Sequence, residues 1–287
     1  GPQNPSLPPH PRRGPQIPSQ PPNRLGRWGE DLRPSRRWVE GGSAWLGWVV
    51  ERGSAIQRHK RKSCMAKRKV VLTGATGYVG GRMLSALKER YDLTLLDIKT
   101  TDPDGNEVED VQVVDLLNRD RDGYREYFRG ADAVVHSGFK GTVDSKHTDF
   151  WKEYDNVMMS YNVYQTCMEE GVRRVVVMSS NHAADFYEPL IWEKKLEFVT
   201  PAMIPLSDNY YGWGKISYEA LGFVFATGSM HDGKRLENVQ IRIGAPRETV
   251  VDRVENLTRM HRELGAYLSV RDQVQLVVKS IETEDIK

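Results

Sequence analysis

A tyrosine and a lysine stand four residues apart in Tyr211-Gly212-Trp213-Gly214-Lys215. On a helix that spacing puts both side chains on one face, and Ser207-Asp208 just ahead supply residue types that start helices. A phenol ordinarily titrates near pH 10, too high for a base at neutral pH, but a neighbouring ammonium favours the phenolate and brings that value down. Tyr211 can then take the proton of an alcohol. Oxidising an alcohol also needs a hydride acceptor. Thr73-Gly74-Ala75-Thr76-Gly77-Tyr78-Val79-Gly80 spaces three glycines as G-x-x-G-x-x-G after an apolar run and before a helical pattern. Between a strand and a helix, Gly74 permits the tight turn, Gly77 lets backbone N–H groups approach a pyrophosphate, and Gly80 lets helix and strand pack closely. The helix N-terminus offers partial positive charge to phosphate, and Thr76, Tyr78 and Val79 complete the cofactor loop. Asp97 lies 23 positions after Gly74, at the end of Leu93-Thr94-Leu95-Leu96-Asp97. There a carboxylate accepts from both ribose hydroxyls and repels a 2′-phosphate, so NAD is favoured over NADP, with Lys99 nearby pulling the other way.

These residues need a scaffold that turns the ends of several strands toward one place. From Lys69 onward short apolar runs alternate with longer stretches of helical period, the pattern of β-α-β units. Strands are expected at Val70 to Thr73, Leu93 to Asp97, Val111 to Val114, Ala133 to His136, Arg174 to Ser179 and Val239 to Ile243, all rich in Val, Ile or Leu as strands buried on both faces should be. Helices are expected near Gly80 to Glu89, Arg121 to Phe128, Phe150 to Glu170 and Asp208 to Thr227, joined by right-handed crossovers. The fold class is α/β: a Rossmann-type, doubly wound parallel sheet with a short C-terminal substrate-binding portion. In that portion Leu268 to Val278 reads as a strand-edge turn followed by a helix.

Residues 1–64 differ from the rest. They hold ten of the fifteen prolines, and twelve Lys or Arg against four Asp or Glu, with no sustained helical or strand period. We read them as a disordered Pro/Arg-rich extension, and residues 65–287 as the NAD-binding domain, C-terminally incomplete if its substrate portion continues further. The apolar run Ala44 to Val50 is far shorter than the roughly 20 residues that cross a bilayer, so no membrane partner is expected. A formal net charge of +2 and a short basic cluster, Arg58 to Lys62, read as solvated surface and give no reason to expect nucleic acid. Two cysteines, Cys64 and Cys167, stand in no metal-ligand spacing, and neither do His136, His147 and His182. No metal is expected, and the cysteine usage suits a cytoplasmic chain.

With the glycine fingerprint, Tyr211 and Lys215 in this order, the chain from about Met65 resembles the extended short-chain dehydrogenase/reductase family, the NAD-dependent epimerases and dehydratases. The resemblance implies NAD as cofactor and a third catalytic residue, a Ser or Thr closing the fifth strand. Val177-Met178-Ser179-Ser180-Asn181-His182 occupies that place; Ser180 is the choice, with Ser179 the alternative, since many epimerases of the family have a serine where Asn181 stands. Ser-Ser-Asn-His followed by Phe186-Tyr187 is similar to the uronate dehydrogenase branch and its relatives acting on hexose phosphates, which implies that Asn181 and His182 face a sugar. Two departures stand out: Asp185 replaces the usual glycine, and Glu188 to Pro205 is a longer loop. Arg262 in Arg262-Glu263-Leu264-Gly265-Ala266-Tyr267 matches the arginine that meets the substrate carboxylate, with Arg247 the rival anion contact. The same resemblance assigns Asp115-Leu116 to the adenine, Ser137 and Gly138 to the cofactor wall, Asn156 to a helix position shaping the site, and Tyr211 and Lys215 to the nicotinamide ribose.

The function implied is NAD-dependent oxidation of a hydroxyl of a small sugar, sugar acid or sugar phosphate by a Ser-Tyr-Lys site. A nucleotide-sugar epimerase or dehydratase would use the same three residues with a larger C-terminal portion, and an NAD-binding redox sensor would keep the fold without turnover. The family admits a homodimer packed through the two long helices.

Overall fold

In a computed structural model of the chain, the structure describes residues 66–141, 149–247, 260, 264–284 and 286. The expectations for residues 1–64, His147 and Arg262 lie outside the described residues.

Val and Leu at alternate positions of the strands face opposite ways, and each set meets its own helical layer. The sheet has six parallel strands in the order β3-β2-β1-β4-β5-β6: β1 (Lys69–Thr73), β2 (Asp92–Asp97), β3 (Val111–Val113), β4 (Ala133–His136), β5 (Arg174–Ser180) and β6 (Glu237–Ile243). On one face Val71, Val134, Val175 and Val177 pack with Phe128, Met159, Val163 and Tyr164, beneath α2 (Arg125–Phe128), α3 (Phe150–Glu169) and α5 (Tyr210–Thr227). On the other, Val70, Leu72, Val135 and Val176 pack with Met83, Leu87, Val277 and Ile281, beneath α1 (Tyr78–Arg90) and α6 (Val270–Glu282). A single-turn helix, α4 (Glu188–Trp192), follows β5, and β7 (Ala245–Arg247) pairs in parallel with β8 (Tyr267–Ser269) beyond β6. This is the doubly wound arrangement, whose ligand sites lie at the carboxyl ends of the strands.

Arg174 shows how α6 is tied down at the opposite end. Its guanidinium is fully buried, pairs with Glu237, and donates from Nη1 to the carbonyls of Ser280, Ile281 and Thr283, three acceptors that the helix end leaves open.

Three expected helices start differently, and the first, α1, begins at Tyr78, two residues before Gly80. The segment Arg121 to Phe128 breaks at Tyr124 (φ −142°) into a 3₁₀ turn and the short α2, because the ring of Tyr124 turns into the core and its hydroxyl reaches the Asn118 carbonyl. Helix α5 begins at Tyr210, not at Asp208: Asn209 is the cap, its side-chain oxygen accepting from Gly212 N at 2.9 Å. Strand β5 runs one residue past the expected end, so Ser180 closes it.

Candidate active site

The carboxyl ends of the six parallel strands lie along one edge of the sheet, where the glycine loop follows β1. Gly74 sits at φ +68°, and a Cβ there would come within 2.6 Å of the Ser137 carbonyl and of Gly138 N. Glycine is therefore required both by the turn and by the closeness of the β4 loop. A Cβ on Gly80 would sit 2.1 Å from the Gly74 carbonyl, so helix α1 can approach β1 only without one. Gly77 is the N-cap of α1 and offers no side-chain cap, and the first turn carries no acidic residue. The opening N–H groups of α1 are left for an anion.

Around this loop, Asp97 accepts from Thr76 N at 2.9 Å and from Ile98 N at 2.7 Å, which fixes its carboxylate at the end of β2. Thr76 is buried and its hydroxyl has no hydrogen-bond partner. Tyr78 donates to the Pro246 carbonyl at 2.7 Å, and the Arg82 guanidinium lies over its ring. Val79 is partly buried against the α1 core, its carbonyl held by Gln273. Asp115 accepts from Leu117 N, and the buried Leu116 has its carbonyl held by Asn162. Ser137 donates to the Thr73 carbonyl at 2.6 Å and Gly138 N to the Thr73 hydroxyl at 3.3 Å. These residues fit a dinucleotide: a cradle that a Cβ would fill, an open helix N-terminus, and a carboxylate at the next strand end.

Tyr211 and Lys215 share one face of α5. Gly212 lets the first turn of that helix press against the end of β5, since a Cβ there would lie 2.0 Å from Ser207 Oγ and 2.3 Å from the His182 carbonyl. This close approach sets Tyr211 beside the end of β5, where Ser180 Oγ accepts from His182 N at 3.2 Å and acts to lower the Tyr211 pKa. Ser179 points elsewhere, donating to Glu219 on α5. The Tyr211 ring meets Phe139 edge-on at 5.5 Å and His182 at 5.2 Å. Asp185 holds the floor together: one carboxylate oxygen takes His182 Nδ1 at 2.7 Å and Asn209 Nδ2 at 2.8 Å, tying the turn after β5 to the cap of α5. The departure from glycine at Asp185 thus orients His182, one of the two residues expected to face substrate.

Lys215 is buried, with Nζ 3.5 Å from the Met178 carbonyl and near the rings of Phe139, Tyr211 and Tyr218. Burial brings its ammonium down to about 8 from the usual 10.5, while Glu153 and Glu219 push the other way. The Tyr211 phenol is raised, contrary to the reading that Lys215 alone would bring it down. Burial is the largest cause, Ser180 opposes it, and Glu153 and Asp185 add to it.

Three contributors were not legible as site residues. His136, at the end of β4, bridges Thr73 Oγ1 at 2.7 Å and Ser160 Oγ at 3.2 Å, and burial lowers its pKa to about 3, so it is a neutral strut. Glu153, one helical turn before Asn156, shares its buried face, and no local pattern marked it. Arg242 on β6 pairs with Glu219 through its Nε–Nη2 edge, with Nη2 2.6 Å from Oε2. Asn156 itself grips the β4 loop, accepting from Lys140 N at 2.7 Å and donating to its carbonyl at 3.3 Å.

A cavity of about 860 Å³ opens beside His182, walled by Asn181, Asp185, Trp192, Glu219 and Arg242. The long loop after β5 supplies its apolar side through Ile191, Val199 and Pro201. The side chains of the two expected anion contacts, Arg262 and Arg247, lie outside the described residues. Among the described residues no cluster of three or more His, Cys, Asp or Glu could hold a metal ion, and no helix is long and apolar enough to cross a membrane.

The model of the NAD dependent epimerase/dehydratase family matches residues 70–219, from β1 through the Tyr211–Lys215 turn. The chain belongs to that family. It is 31% identical over 182 residues to the L-arabinose 1-dehydrogenase (NAD(P)(+)) of Haloferax volcanii, a match spanning 61% of this chain and 66% of the relative. It is 28% identical to the uronate dehydrogenase of Pseudomonas syringae pv. tomato over 76% of this chain and 71% of the relative. The crystal structure of uronate dehydrogenase from Agrobacterium tumefaciens superposes with a TM-score of 0.60 at 24% identity, over 77% of this chain and 74% of the other, a likeness of fold.

Proposed function

We propose that the chain is an NAD-dependent dehydrogenase that oxidises a hydroxyl of a small sugar, sugar acid or sugar phosphate. The observation that carries this reading is the grouping of Tyr211 with the buried Lys215 on one face of α5 beside the end of β5, where Ser180 Oγ takes His182 N and the His182 ring meets Tyr211 at the edge of the cavity. Relatives named as sugar dehydrogenases support the substrate class.

NAD, when bound, supplies the hydride acceptor. The nitrogens opening α1 would hold its pyrophosphate and Asp97 its adenosine ribose, while Asp115 and Leu116 would meet the adenine and Ser137 and Gly138 line the cofactor wall. Ser180 and Tyr211 bind the reacting hydroxyl, and Tyr211 accepts its proton as the C–H bond breaks. Lys215, charged below about pH 8, stabilises the phenolate and holds the nicotinamide ribose. Asn181 and His182 orient the sugar ring, His182 fixed through Nδ1 by Asp185. Arg262 receives a carboxylate or phosphate.

The test is NADH formation by the full chain with NAD and a panel of uronates, pentoses, hexose phosphates and neutral hexoses. Turnover on one class names the substrate; none across the panel, with NAD still bound, refutes the reading.

The same reading extends to a homodimer in the cytoplasm. Phe150 of α3 packs on Tyr210 and Trp213 of α5 at 5.5 and 5.1 Å, the adjoining Trp151 is about 70% exposed, and so is Phe223 further along α5. An aromatic face spanning two long helices is a surface that a second copy would cover.

A further inference from the structure

We propose that Glu153 is a positioning residue for the active site: from the first turn of α3 its buried carboxyl packs against Gly214 in the Tyr211–Lys215 turn and anchors Asn156. The inference rests on the role of Lys215 in the dehydrogenase proposed above.

A glutamate near a helix N-terminus is ordinary at a solvated surface, where the helix dipole favours it. This one is 1% exposed, and its Oε1 has no hydrogen-bond partner, an arrangement that stability alone does not favour. Its other oxygen accepts from Asn156 Nδ2 at 3.2 Å. Asn156 in turn clamps Lys140 and with it the loop that carries Ser137, Gly138 and Phe139. The fold makes room for the carboxyl: a Cβ on Gly214, the residue before Lys215, would lie 3.0 Å from Glu153 Oε2 and 3.3 Å from its Cβ. The absence of a side chain at position 214 therefore seats a buried acid directly against the Tyr211–Lys215 turn.

The groups facing Lys215 from each packed element are few. Glu153 comes from α3, Glu219 and the phenols of Tyr211 and Tyr218 from α5 itself, the neutral His136 from β4, and the Met178 carbonyl from β5. Of the two acids Glu153 acts more strongly on Lys215, and Glu219 is already engaged by Arg242 and Ser179. Burial raises the Glu153 carboxyl and Lys215 lowers it in return, so the two groups favour each other's charged forms. Without Glu153, Lys215 would lose its proton at a lower pH, and the phenolate partner would vanish from the range where the enzyme needs it.

The experiment is to titrate Lys215 by the ¹³Cε shift of labelled lysine in the full chain and in Glu153→Gln, with Glu153→Met as a second variant in case Gln is poorly tolerated. Lys215→Arg assigns the resonance. The expected result is a midpoint near 8 in the parent, falling by about one pH unit in either variant, as removal of one close opposite charge implies. The alkaline limb of kcat moves down by the same amount, with KM for the sugar little changed. An unmoved lysine midpoint overturns the proposal, including the case in which kcat falls equally at every pH, since that is what a merely structural role gives. A lysine shift without sugar turnover in the parent leaves this inference standing and refutes the dehydrogenase reading instead.

Discussion

Replacing Lys215 by methionine should make the protein more stable and inactive. Lys215 is buried, and its pKa of about 8 lies well below the usual 10.5. At 1.36 kcal/mol per pH unit, that difference is worth about 3 kcal/mol against the folded state wherever the lysine is charged in both states. A depressed folded-state pKa means that this destabilisation is fully present below about pH 8 and is relieved as pH rises toward 10.5, where the unfolded chain also loses the proton. Methionine fills a similar volume without the charge. Glu153 then faces no cation and takes up a proton more readily, which offsets part of the gain. The net expectation at pH 7 is about 2 kcal/mol, or roughly 4 to 8 °C in Tm for a domain of this size. At pH 10 the gap should shrink to about 1 kcal/mol or less. Urea unfolding followed by circular dichroism at both pH values measures it. A variant less stable than the parent at pH 7, or a gap that is the same at pH 7 and pH 10, would refute the reasoning.

Asp97→Ala should narrow the preference for NAD over NADP in kcat/KM by about tenfold, equivalent to one charged hydrogen bond of about 1.4 kcal/mol; an unchanged ratio places the discrimination elsewhere. Gly74→Ala meets both a left-handed backbone and contacts at 2.6 Å, so it should cost about 3 kcal/mol or more and abolish NAD binding, checked by urea unfolding and by NADH fluorescence titration. For the homodimer, sedimentation velocity should show Trp151→Glu shifting the chain toward monomer; a parent that is monomeric at micromolar concentration removes that proposal.

What could be read from the sequence divides along physical lines. The sheet was legible because β1, β4 and β5 are continuous apolar runs, and a strand buried on both faces leaves that mark whatever its surroundings. The glycine loop was legible because positive φ and backbone proximity admit one residue type. The start of α5 was misplaced by two residues because Asp208 and Asn209 are both good caps, and the fold uses Asn209, which Asp185 also holds. Glu153 could not be found from local pattern, since its meaning lies in a neighbour 61 positions away whose missing side chain makes room for it. The direction of the Tyr211 shift was missed for a related reason: spacing reveals the lysine beside a phenol, but not how deeply both are buried.

The central claim is that Tyr211 moves the substrate proton in a sugar oxidation driven by NAD. The direct measurement is the initial rate of NADH formation at 340 nm for the parent chain and Tyr211→Phe on the best sugar of the panel, with NAD affinity measured alongside. The account predicts a loss of at least about 100-fold in kcat, the scale of one positioned acid–base group, with the NAD Kd changed by less than about threefold. Full activity in Tyr211→Phe would contradict it.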